Sequence, residues 1–217
     1  MSDTQKTKLD AKQRILLATL EVIKANGMRG VRHRAVAAQA GVSLGSTTYH
    51  FKSIEDLISS TFIFWHKKID VGKNPHFMSL EQDVEHFSKQ SIPPKELAEE
   101  LYKDGEIYLR NQIFDNSDDR RIELAFHNEA LRNQQLSSLL RHSWQQEVDR
   151  IAHLYKTIGT DFPVEDAEVT FALVLQLEKK AMLIDDMEKL EIEFSKMKKI
   201  LKRYIYLVAG ADVGSES

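Results

Sequence analysis

The chain contains no cysteine, which removes disulfides and thiolate metal sites and suits a reducing cytoplasm. Four prolines and nine glycines are all that interrupt it. Apolar residues instead recur at a 3.6-residue period over long stretches, while the two-residue alternation of strands is rare, so the expected fold is all-α. No apolar run approaches the roughly 20 residues that a membrane-spanning helix needs. The polar start MSDTQKTK lacks the form of a signal peptide. These absences lead to the expectation of a cytoplasmic protein with no membrane partner.

What is present is unevenly charged. The net charge is -3, yet residues 1–52 alone carry +6 and the remainder -9. A basic head on an acidic body is the electrostatic footprint of a nucleic-acid-binding module joined to another function. Within that head, RHRAVAAQAGVSLGSTTYHFKSIEDL reads as two short helices joined by a tight turn. Arg34 through Ala40 form an Ala-rich helix, Gly41 supplies the positive φ of the turn, and Ser43 caps the next helix. That second helix, Leu44 to His50, carries small hydroxyls and polar aromatics with almost no apolar stripe to bury. Such a helix suits a DNA groove better than a core. Val36, Ala40, Val42 and Phe51 are the expected core of this motif.

Around it the periodicity places a helix from Ala11 to Asn26, capped by Asp10 and ended by Gly27. Ser53 to Asp56 has the form of a capping box and opens a longer helix ending near Ile69. Residues 70–94 break all periodicity with Gly72, Pro75, Pro93 and Pro94. Further helices are expected over about 94–113, around Leu124 to Leu131, over 136–158, from Pro163 through an all-round apolar segment at 169–177, and from Leu190 to Val208. A helix apolar all round needs cover on both sides. That cover comes either from the body of its own subunit or from a second copy in a four-helix interface. The expected division is a helix-turn-helix domain over residues 1–56 followed by a larger helical domain over 57–217.

Over roughly residues 10–65 the segments AKQRILLATLEVIKANG, RAVAAQAGVS and LGSTTYHFKSIEDL resemble the TetR/AcrR family of bacterial transcriptional regulators in order and spacing. Beyond residue 70 the resemblance lies mainly in helical layout. It implies an all-α homodimer, usually a repressor, that binds a double-stranded DNA operator and releases it when a small-molecule effector enters the C-terminal domain. No cofactor and no metal are implied. By position in the motif, the DNA-contacting residues would be His33, Arg34, Ser43, Leu44, Gly45, Ser46, Thr47, Thr48, Tyr49, His50 and Lys52. Their chemistry agrees, since hydroxyls and imidazole bond phosphates and Arg pairs with guanine. The chain departs from the family at three places. Thr48 stands where many members have tyrosine, Ile54 where a lysine is frequent, and Val31-Arg32 where a threonine cap is usual.

Bulky or polar side chains expected around an effector cavity are Trp65, Tyr108, Phe126, His127, Trp144 and Gln176, each of which ordinary packing also explains. The expected dimer interface uses Phe171, Leu175, Phe194, Met197, Leu201 and Tyr204. Gly41-Val-Ser43-Leu-Gly45 satisfies G-x-S-x-G, but a helix precedes it where a nucleophile elbow needs a strand, so no hydrolase follows. No Glu-x-x-His pair occurs for a di-metal bundle. Asp83 and His86 come nearest, and Glu123 with His127 make a two-ligand pair at most. Two function classes remain: a ligand-responsive DNA-binding regulator, and a helical adaptor of the same fold acting through protein contacts. An enzyme is not expected.

Overall fold

Asp10 accepts the Gln13 N–H at 2.7 Å on Oδ1 and opens α1 (Ala11–Asn26). Its buried face carries Ile15, Leu16, Leu20, Val22 and Ile23, and Gly27 at φ 65° ends it. In this computed structural model residues 9–68 and 92–212 are described; the irregular stretch expected at 70–94 falls almost entirely outside them. After a 3-10 turn (Met28–Gly30) come α2 (His33–Ala40), α3 (Leu44–His50) and α4 (Ile54–Lys68). Next are α5 (Pro94–Arg110), a π-helical turn (Asn111–Asp115), α6 (Ser117–Ala130), α7 (Gln134–Ile158), α8 (Pro163–Ala181) and α9 (Met187–Val208). Every regular element among the described residues is helical, as the composition required. None of these helices is long and apolar enough to cross a membrane.

Two compact units emerge from the packing. One takes residues 9–68 with 121–143, the other 92–120 with 144–212. In the first, α1 lies against α2, α3 and α4. Its core holds Ile15, Val36, Phe51 and Leu57, each at most 1% exposed. Ala40 and Val42, expected in that core, are only half-buried because they sit where α2 gives way to the turn. Phe62 and Trp65 of α4 meet Phe126 of α6, with ring centroids 5.3 and 5.6 Å from it. The Ser143 hydroxyl and His66 Nε2 stand 2.5 Å apart, adding a polar link between α4 and the first half of α7.

In the second unit α5 runs along α9. Gly105 makes that approach close: a Cβ there would stand 3.2 Å from Ile205 Cδ1 and 3.4 Å from Leu201 Cδ2. Glu99 accepts the Tyr206 hydroxyl, and Lys202 lies 3.7 Å from Glu99. Burial, with the carboxylate as second cause, pushes the Tyr206 phenol up to about 12. The expected helix over 94–113 ends early, at Arg110, where the π-helical turn inserts one extra residue per turn. Phe114 of that turn packs edge-on to Phe194 at 5.3 Å, and the Arg110 guanidinium lies 4.7 Å from the Phe114 centroid. Between α7, α8 and α9, Tyr155 bonds Thr170 at 2.7 Å and the Tyr204 hydroxyl donates to the Asp166 carbonyl at 2.8 Å.

Candidate nucleic-acid interface

A seven-residue helix has no stability of its own, so α3 exists because its neighbours hold it. Gly41 takes φ 62° and closes α2 with paired backbone bonds, Gly41 N–H to the Ala38 carbonyl at 3.2 Å and Val42 N–H to Ala37 at 3.0 Å. Two residues on, Ser43 Oγ accepts the Ser46 N–H at 3.1 Å, which caps α3 and aligns its free N–H groups outward. Phe51, 1% exposed, anchors the far end. The following helix begins with the expected box: the Asp56 N–H donates to Ser53 Oγ at 3.1 Å. Its reciprocal arm differs, because Asp56 Oδ2 accepts from Lys52 N–H at 3.0 Å.

The outer side of α3 is polar and open. Arg34, Ser43, Leu44, Gly45, Thr48, Tyr49 and Lys52 are exposed, while His33, Ser46 and His50 are half-buried. Tyr49 leaves 75% of its surface in solvent. Its ring meets His50 edge-on at 5.2 Å, and Lys52 Nζ lies 5.7 Å from its centroid. Phenol, imidazole and ammonium therefore form one patch, with a cation over an aromatic face. Thr48 spends its hydroxyl on the carbonyls of Leu44 and Gly45, at 3.3 and 3.2 Å.

Thr47 corrects the expected contact set. It is 0% exposed and its hydroxyl donates to the Leu44 carbonyl at 2.8 Å, so it faces α1 and not solvent. The effector set also divides. Trp65 and Phe126, 2% and 0% exposed, fill the aromatic core of the first unit. His127, in that unit, has Nε2 3.7 Å from Glu123 Oε1, the pairing its spacing predicts. Tyr108 and Trp144 are half-buried in the second unit, where Trp144 stands 6.1 Å from Phe171. Gln176 is exposed on α8 in line with Val169 and Ala172, on an outer stripe of that helix.

The interface set needs the same correction. Phe194, Met197 and Leu201 are 2%, 0% and 2% exposed; within one subunit they are core, packed toward α5. Phe171, Leu175 and Tyr204 are half-buried. The large apolar residues that α9 leaves in solvent are Met187, Ile192, Ile200 and Leu207, at 64%, 56%, 44% and 73%. No group of three or more His, Asp or Glu side chains with metal-holding geometry occurs among the described residues.

Residues 15–61, spanning α1 through most of α4, match the model for bacterial regulatory proteins of the tetR family. Over that segment the chain resembles the tetR family of bacterial regulatory proteins. The protein shares its fold with a transcriptional regulator from Rhodococcus sp. Rha1, at 19% identity over 94% of this chain and 100% of that one, TM-score 0.66. It is similar to the multidrug binding protein EbrR complexed with ethidium, at 22% identity over 91% of this chain and 99% of that one, TM-score 0.62. A transcriptional regulator from Aquifex aeolicus VF5 matches at 18% identity over 89% of this chain and 98% of that one, TM-score 0.58. No curated protein matches the chain in sequence. The chain thus has the fold of these regulators, with a helix-turn-helix head that matches the tetR family model.

Proposed function

We propose that the protein is a homodimeric repressor that grips a pseudo-palindromic operator through α3 and lets go when a small molecule binds its helical body. The observation that carries the reading is the open polar side of α3: capped by Ser43, backed by buried Thr47, and bearing Tyr49 at 75% exposure. The contacts assigned are His33, Arg34, Ser43, Leu44, Gly45, Ser46, Thr48, Tyr49, His50 and Lys52. Arg34 and Lys52 supply charge for phosphates or a guanine edge, and the hydroxyls and backbone N–H groups of the α3 start fix register. In a two-fold dimer the two α3 helices enter major grooves about one helical turn apart, or a multiple of it.

The functional division assigned is a DNA-binding head over 1–56 and an effector and dimer body over 57–217. The exposed positions Val169, Ala172, Gln176, Ile192, Ile200 and Leu207 support a dimer formed by symmetric pairing of α8 and α9. Effector binding is supported by likeness to EbrR, a multidrug binding protein complexed with ethidium and with proflavin; Tyr108 and Trp144 are the aromatic contacts assigned in this chain. Acting on DNA, the protein works in the cytoplasm.

Selection of fragments from bacterial genomic DNA, at moderate and at high salt, tests the reading. Recovery of a pseudo-palindromic site is the expected result, with affinity falling as salt rises because phosphate contacts release counterions. Absence of binding at both salts, with and without small molecules from a cell extract, would overturn it in favour of an adaptor.

A further inference from the structure

A helix that stops leaves carbonyls without partners. At the end of α2 the turn itself satisfies Ala37 and Ala38, through Val42 N–H and Gly41 N–H. The carbonyls of Ala40 and Gly41 are taken by a side chain from another helix. Arg14 of α1 sends Nη2 to both, at 2.8 and 2.9 Å, across 26 and 27 residues of sequence. The pairing is charge-assisted, and a cation at a helix C-terminus is also favoured by the helix dipole. Gly41 leaves room for it: at φ 62° a Cβ there would stand 3.3 Å from Arg14 Nη2.

The geometry assigns Arg14 a positioning role in DNA recognition: its guanidinium clamps the turn between α2 and α3 and so sets the placement of α3 relative to α1. Ser43, two residues past the clamped carbonyl, caps α3, so a shift of the turn moves every contact from Ser43 to His50 together. Arg14 touches no base in this role. It holds the helix that does, which makes it a determinant of sequence discrimination more than of charge-driven affinity. The inference rests on α3 being the recognition helix. The clamp itself is a property of the free protein, so the two fail separately.

The test compares Arg14→Met, which keeps the stem and loses the donors, with Arg14→Lys, which keeps the charge on a single-pronged head. Amide hydrogen exchange on the free protein is read first. In Arg14→Met, exchange across residues 41–47 should accelerate at least about tenfold, with residues 57–62 of α4 unchanged; about tenfold is the low end for one hydrogen bond to a charged group, and this variant loses both. Unchanged exchange at 41–47 overturns the clamp whether or not the protein binds DNA. Operator and sequence-blind DNA are titrated second. Specific affinity should fall about tenfold or more, sequence-blind affinity should stay within about twofold, and the salt slope should stay constant, with Arg14→Lys intermediate. A salt slope reduced by about one, with both affinities weakened together, would make Arg14 a phosphate contact and overturn the positioning role. If the methionine variant fails to fold, the same readouts on Arg14→Lys decide. Faster exchange at 41–47 in a protein that selects no DNA would leave the clamp standing and remove the repressor reading alone.

Discussion

Thr47 and Tyr49 stand two positions apart on α3, one 0% and the other 75% exposed, and their substitutions separate cleanly. Tyr49→Ala is expected to lower operator affinity at least tenfold while leaving the urea midpoint within the roughly 0.5 kcal/mol of an ordinary surface change. Thr47→Ala should do the opposite, costing about 1–2 kcal/mol through its buried methyl and hydroxyl and sparing the affinity of the folded protein. Fluorescence anisotropy titration and urea denaturation of each variant check both. Gly41 is the third residue of this kind: at φ 62°, a side chain costs about 1–2 kcal/mol for handedness alone. Gly41→Ala is therefore expected to lose stability by at least about that amount in the same melt. The sequence exposed Gly41 and Ser43 because turn and cap chemistry is local. It did not expose the fate of Thr47, whose hydroxyl folds back onto Leu44, nor Arg14, whose carbonyl partners lie 26 and 27 residues away.

Helix limits were legible for the same local reason. Asp10 and Ser43 each accept an N–H three residues on, and Gly27 and Gly210 stop α1 and α9 at φ 65° and 66°; the start of α9 at Met187, capped by Asp186, lies three residues before the expected Leu190. Which neighbour a face meets was not legible. In α9 one periodic stripe, Phe194, Met197 and Leu201, has the same spacing whether it covers α5 or a second subunit, and it covers α5. Met197→Ala should therefore cost about 2–5 kcal/mol in denaturant unfolding, the range for truncating a buried side chain. The π-helical turn was equally hidden, since one inserted residue leaves the apolar pattern of residues 94–113 readable as plain helix. The α5–α9 contact also carries a pH signature. A phenol raised in the folded state stabilises fully below the unfolded value of about 10 and loses that contribution as pH climbs through the folded value. With the folded Tyr206 at about 12, stability should decline between pH 10 and 12. Urea midpoints across that window should fall less steeply in Tyr206→Phe; an identical slope would remove the assignment.

At the scale of the whole molecule, the proposed dimer turns on the open apolar positions of α9. Ile200→Glu with Leu207→Glu is expected to give a monomer of unchanged helicity, measured by light scattering and circular dichroism, because both side chains are in solvent within one chain and a carboxylate buried in a paired interface is costly. A dimer that survives both changes would reject the α8–α9 pairing. One feature of the first unit reaches further. Phe126, which closes the aromatic cluster over Phe62 and Trp65, is supplied by α6, more than 50 residues after the last of α4. The helix-turn-helix head is consequently no detachable cassette. A fragment ending at residue 68 would bare an indole and a phenyl ring that the intact chain keeps dry, and its own stickiness would mask whatever DNA it bound. The compact unit around the helix-turn-helix, residues 9–68 with 121–143, is therefore discontinuous in the gene.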